Sequence, residues 1–155
     1  MSLFVKILIC VVLCVGLGTA SGFSTASEIN GWFQTVEKPS WNPPNWIFGP
    51  MWTTLYILMG IAAALIWHSN DERKKAALTL FVLQFIFNLA WSFIFFNQHA
   101  IGWAFAEILV MWVFILATII SFYKIKPIAA YLMIPYLLWV TFASCLNGAI
   151  WMLNK

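Results

Sequence analysis

The stretch WIFGPMWTTLYILMGIAAALIW, residues 46–67, runs for 22 positions without a Lys, Arg, Asp or Glu. At about 1.5 Å per residue, one helix of that length crosses the ~30 Å hydrocarbon core of a bilayer. Period-two alternation is absent, and an open sheet would leave backbone groups unpaired in lipid, so a helix is the reading. Four more windows of this kind occur, at 7–23 before it and at 76–96, 101–123 and 128–152 after it. The chain is therefore predicted to be an all-α integral membrane protein, a bundle of five transmembrane helices. No repeat is seen, so residues 1–155 are read as a single domain.

Composition agrees. Of the 155 residues, 63% are hydrophobic and 8% charged, whereas a soluble domain carries about 25% charge. A water-soluble enzyme, a disordered tail and a nucleic-acid binder are excluded, the last because eight Lys and Arg in so apolar a chain make no basic face. Ten Trp and fourteen Phe are a second excess, and they direct the search for function.

The connections between windows are short except for one, spanning 24–45 between the first and second helices. It ends in Glu37-Lys38-Pro39-Ser40-Trp41-Asn42-Pro43-Pro44, where three prolines stiffen the approach to the second span. Lys6 followed by an apolar run and by Thr19, Ala20 and Ser21 is also similar to a cleavable signal peptide; the continuation through Gly22 and Phe23 suits a retained helix better. Lys6, Arg73, Lys74, Lys75, Lys124 and Lys126 fall on one side of the membrane, and Lys38 and Lys155 on the other. In a bacterial inner membrane the positive-inside rule then places the N-terminus in the cytoplasm and the long loop outside.

No Ser-His-Asp set, paired intramembrane carboxylates, glycine-rich phosphate loop or metal-ligand cluster can be found, so no metal site is expected. Cys10, Cys14 and Cys145 lie within apolar spans and are read as buried thiols acting as small hydrophobes. His68 and His99 fall at opposite membrane faces and are read as interfacial. Glu107, the one acid inside a span, is read as hydrogen-bonding a neighbouring helix, with a proton-path role as the alternative.

Three helical stripes carry more information. Gln84, Asn88, Trp91, Ser92 and Phe95 share one face of the third span, which lipid would not accept. Pro135, Trp139, Ala143 and Asn147 line one face of the fifth, and Trp52, Tyr56, Met59 and Ala63 one face of the second. Counted from the loop side, Trp52 lies ~9 Å deep, Trp91 and Asn147 ~8 Å and Asn88 ~12 Å, with Trp139 two turns further in than Asn147. They cluster toward the loop side of the membrane, which predicts an aromatic-walled cavity with Trp41, Trp46 and Phe33 as its lid. A flat apolar ligand with polar edges, such as a porphyrin, suits indole walls with a few amides. Trp32, Trp67, Trp103 and Trp151 are assigned to interfacial anchoring.

The motifs Lys38-Pro39-Ser40-Trp41-Asn42-Pro43-Pro44, Phe48-Gly49-Pro50-Met51-Trp52-Thr53-Thr54-Leu55-Tyr56, Asn88-Leu89-Ala90-Trp91-Ser92 and Pro135-Tyr136-Leu137-Leu138-Trp139, with Ala143 and Leu146-Asn147, together resemble one family. It is the TspO/MBR family of tryptophan-rich sensory proteins, also called translocator protein and formerly the peripheral-type benzodiazepine receptor, and the chain is similar to its bacterial members. The resemblance implies a five-helix bundle, frequently a homodimer, that binds protoporphyrin IX, related tetrapyrroles and lipophilic drugs. By motif position the ligand site would comprise Phe33, Pro43, Ile47, Trp52, Asn88, Trp91, Ser92, Trp139, Ala143, Leu146 and Asn147. Some bacterial relatives promote light- and oxygen-dependent breakdown of bound protoporphyrin; the tryptophans at the matching positions are Trp52 and Trp139, candidate electron donors. No cofactor is required. An acid at the place of Glu107 is usual in the family. A cholesterol motif of animal members needs a Tyr that Leu146-Asn147-Gly148-Ala149-Ile150-Trp151 lacks. Two other functions are carried forward: a transporter of porphyrins or other lipophiles, against which stands the lack of inverted repeats, and a regulatory scaffold without catalysis.

Overall fold

The computed structural model describes residues 1–155. Five helices are long and apolar enough to span a membrane. They are α1 (Leu3–Asn30), α3 (Asn45–His68), α4 (Lys74–Ser92, continued by a π-helical turn Phe93–Asn97), α5 (Ile101–Ile125) and α6 (Pro127–Leu153), with a single-turn helix α2 (Trp32–Thr35) between the first two. Helix α3 packs on α1 and α6, α6 on α5, and α5 on α4; the π turn comes back against α1 and closes the bundle. The outer faces present Phe4, Leu8, Val12, Leu17, Val82, Ile86, Val113 and Ile120, the apolar surface that acyl chains require.

The sequence places the end of the first span at 23, yet α1 continues to Asn30. The hydroxyls of Ser24 and Thr25 donate back to the carbonyls of Ser21 and Gly22, at 2.7 and 3.0 Å. Their polarity is satisfied inside the helix and does not interrupt it. The connecting loop therefore shrinks to 31–44 and carries α2. The remaining spans match their predicted windows within two residues.

Close approach of α1 and α3 depends on two glycines. A Cβ on Gly60 would stand 2.6 Å from the Cα of Val11, and one on Gly18 would clash with the edge of the Tyr56 ring. Small residues let backbones meet where lipid supplies no hydrophobic drive. Nearer the loop, Gly22 and Gly49 meet nothing within 4 Å, so the two helices have separated there.

On the side away from the long loop, Arg73 grips Asp71 at 2.7 Å and donates to the carbonyl of Lys124 at 2.9 Å. Hydrogen bonds from Arg73 hold the Asp71 carboxyl down at about 2. His68 meets Lys6 at this end, 3.4 Å apart.

Candidate ligand-binding site

The separation of α1 from α3 opens a cavity of about 380 Å³ in the loop-side half of the bundle, within the size range of small-molecule sites. Helix α3 supplies Phe48, Trp52 and Tyr56; the end of α4 supplies Trp91, Ser92, Phe95 and Phe96; α6 supplies Trp139, Phe142, Ala143, Leu146 and Asn147; and Phe33 of α2 roofs it. Trp52 stacks on Tyr56 with centroids 5.7 Å apart and meets Trp139 edge-on at 6.5 Å and 88°. Trp91 stacks on Phe95 at 5.1 Å. Its indole N–H donates to Asn147 Oδ1 at 3.0 Å, while Asn147 Nδ2 donates to the carbonyl of Ile101, also at 3.0 Å. Asn147 thereby fixes the plane of a wall residue and ties α6 to the start of α5. The Trp139 N–H, by contrast, has no partner.

Below the cavity runs a buried polar chain. Tyr56 donates to Asn88 Oδ1 at 2.8 Å, Asn88 Nδ2 donates to the Tyr136 hydroxyl at 2.8 Å, and Tyr136 donates to Gln84 Oε1 at 2.7 Å. Each partner is buried, so the bonds satisfy groups that would otherwise be costly in lipid. Met59 and Met111 pack into the same layer, sealing the floor.

Of the expected site residues, Phe33, Trp52, Trp91, Ser92, Trp139, Ala143, Leu146 and Asn147 line the cavity, and Asn88, Pro43 and Ile47 do not. Asn88 faces inward but its amide is spent on the two tyrosines. The cavity face of α3 runs Asn45, Phe48, Gly49, Trp52, Thr53, Tyr56; at about 100° per residue, Ile47 points to the far side of that stripe. Pro43 precedes the helix, outside the lining, and its carbonyl accepts from Asn42 Nδ2 at 3.2 Å. Of the three residues expected as a lid, Phe33 roofs the cavity and Trp41 packs edge-on against the lining residue Phe142 at 5.7 Å, whereas Trp46 is 72% exposed and faces outward.

Other expectations are also corrected. Glu107 makes no hydrogen bond to a neighbouring helix; both carboxylate oxygens are buried without a partner. Cys145 is exposed on the outer face, while Cys14 is buried and Cys10 half-buried. His99 does more than sit at an interface: it stacks on Trp32 at 4.1 Å and bonds Glu28 at 2.9 Å, joining the loop after α4 to the end of α1 and to α2.

The contribution of α1 was not foreseen. Gly18, Gly22 and Ala26 line the cavity at four-residue spacing, a small-residue stripe visible in the sequence but without chemistry to mark it. Thr19, Gly22 and Phe23 of α1 and Asn45, Gly49 and Thr53 of α3 belong both to the lining and to the outer surface. The cavity thus opens sideways between these helices, at the depth of the acyl chains.

A five-helix membrane bundle enclosing a tryptophan-walled, ligand-sized cavity under a proline-rich loop defines the class of protein. The family follows from comparison. The TspO/MBR family model matches residues 10–152. The tryptophan-rich protein TspO of Chlorobaculum tepidum is 38% identical over 94% of each chain, and that of Archaeoglobus fulgidus 38% identical over 96% of this chain and 97% of its own. The human translocator protein is 38% identical over 77% of this chain and 73% of its own. The chain belongs to the TspO/MBR family.

Proposed function

We propose that the protein binds protoporphyrin IX or a related tetrapyrrole in this cavity, and that Trp52 and Trp139 donate electrons to the photoexcited macrocycle during its oxygen-dependent breakdown. The carrying observation is the right-angled Trp52–Trp139 pair on the cavity wall, with Trp91 on the facing helix. Indole faces stack on a flat π system, and indole is readily oxidised, so a stacked ring is placed to reduce the excited ligand, with oxygen as the final oxidant. The sideways opening supports loading from the bilayer, where such a molecule partitions. The sealed floor favours binding over passage through the bundle. In a bacterial inner membrane the positive-inside count further supports a cytoplasmic N-terminus, which labelling of single cysteines at Ser40 and Asn70 by an impermeant maleimide would check.

Titration of the detergent-solubilised protein with protoporphyrin IX is expected to quench tryptophan fluorescence. The double variant Trp52→Phe/Trp139→Phe is expected to bind while losing most of the light-driven decay of the Soret band. Undiminished decay in that variant removes the donor role.

A further inference from the structure

At the end of the bundle away from the long loop a second cleft, of about 390 Å³, opens between two elements. Leu65, His68, Ser69 and Asn70 at the end of α3 form one wall, and Ile125 and Lys126 at the corner between α5 and α6 form the other. The Arg73 guanidinium, donating to the Lys124 carbonyl at 2.9 Å, braces that corner against the loop after α3. The cleft shares no lining residue with the tryptophan-walled cavity.

No acid lines it. Asp71, the acid next to Asn70, is taken by Arg73, whose Nε and Nη2 donate to its two oxygens at 2.9 and 2.7 Å. Acceptors at the end of α3 are engaged as well. The Lys74 ammonium donates to the carbonyls of Trp67 and Ser69 at 3.2 and 2.9 Å, and Ser69 Oγ accepts from the Asp71 N–H at 3.1 Å. What remains for a ligand is a set of donors. Lys6 Nζ lies 3.4 Å from His68 Nδ1; an ammonium only donates, so Nδ1 accepts and the ring hydrogen sits on Nε2. The Ser69 hydroxyl, the Asn70 amide and the Lys126 ammonium, which enters no ion pair, complete the set. Charge-assisted donors of this kind suit an oxyanion.

The surroundings say which oxyanion. Lys6, Arg73, Lys74, Lys75, Lys124 and Lys126 stand at this end against two acids, Asp71 and Glu72. Tyr123 and Tyr131 pack edge-on at 6.1 Å with more than half of each exposed, and Trp67 lies 5.3 Å from the Lys6 ammonium. Exposed aromatic rings beside lysines mark the headgroup level of a bilayer, and basic hollows between spans at that level attract anionic lipid. We propose that the cleft binds the headgroup phosphate of an anionic phospholipid from the leaflet at the N-terminal side. Lys126 and His68 Nε2 donate to the phosphate from opposite walls, while Leu65 and Ile125 receive the glycerol and the first methylenes of the chains.

Native mass spectrometry of the full-length protein in detergent, titrated with phosphatidylglycerol or phosphatidylcholine, reads the affinity for each. Wild type is expected to hold phosphatidylglycerol about tenfold more tightly, and Lys126→Gln to lose about that factor, the scale of one charge-assisted bond. His68→Leu, on the other wall, is expected to weaken phosphatidylglycerol as well. Lys75→Gln removes the same charge from the same end but outside the lining, and is expected to stay within about twofold of wild type. Equal losses in Lys126→Gln and Lys75→Gln would mean a diffuse field without a site and overturn the proposal, as would equal affinity of wild type for the two lipids. Displacement of phosphatidylglycerol by an equimolar amount of inorganic phosphate would overturn the lipid assignment in favour of a free anion.

Discussion

The indole N–H of Trp91 and the side-chain oxygen of Asn147 lie 3.0 Å apart, bonding α4 to α6 across the cavity wall. Replacing Asn147 with Ala leaves that donor without a partner and removes the tie to the Ile101 carbonyl. The expected cost is about 1–3 kcal/mol of stability, read from thermal unfolding in detergent, together with weaker porphyrin quenching as Trp91 loses its fixed plane. Unfolding and quenching both equal to wild type would show that the bond does not position Trp91.

The tyrosine chain beneath the cavity should separate stability from binding. Tyr136→Phe removes the hydroxyl between Asn88 and Gln84, with an expected loss of about 1–3 kcal/mol and little change in porphyrin affinity. Asn88→Ala is expected to behave alike. A variant of Asn88 that unfolds like wild type but fails to bind porphyrin would return this residue to the ligand site.

The sideways opening makes a kinetic prediction. A side chain at Gly22 meets open space, so Gly22→Phe should fold with a stability within about 0.5 kcal/mol of wild type. It should slow the stopped-flow association of protoporphyrin with protein in nanodiscs. An unaltered rate would assign access to the loop end of the bundle instead.

At the opposite extreme stands Gly60, whose added Cβ meets the Val11 backbone. A backbone cannot swing aside as a side chain does, so Gly60→Ala must push α1 away from α3. A loss of about 1–3 kcal/mol is expected, seen as a lower unfolding midpoint; a midpoint equal to wild type would mean that the contact yields freely.

How much of this was legible follows from what each residue signals. Charge-free runs mark the spans directly, because an unpaired charge in lipid is costly. The end of α1 was misread because Ser24 and Thr25 look like loop residues until their bonds to Ser21 and Gly22 are seen. Helical spacing brought Trp52, Trp91 and Trp139 to the inside, and all three line the cavity. The same spacing also selected Asn88, since a stripe distinguishes inward from outward but not a hollow from a packed layer. Gly18 and Gly22 escaped notice because a wall made by the absence of a side chain leaves no polar or aromatic trace.

The π turn Phe93–Asn97 carries one final consequence. Its wider winding lets the Gln98 amide reach the Phe93 carbonyl, five residues back, at 3.0 Å. Winding the same residues as an ordinary α-helix would rotate all that follows by roughly the 100° that one residue subtends. Phe95, Phe96 and the His99 clasp would lose their bearings on α1 and α2 together. The winding is thus as constrained at this spot as chemistry is: a substitution changes one contact, whereas tighter winding at the same length would misalign a whole corner of the molecule.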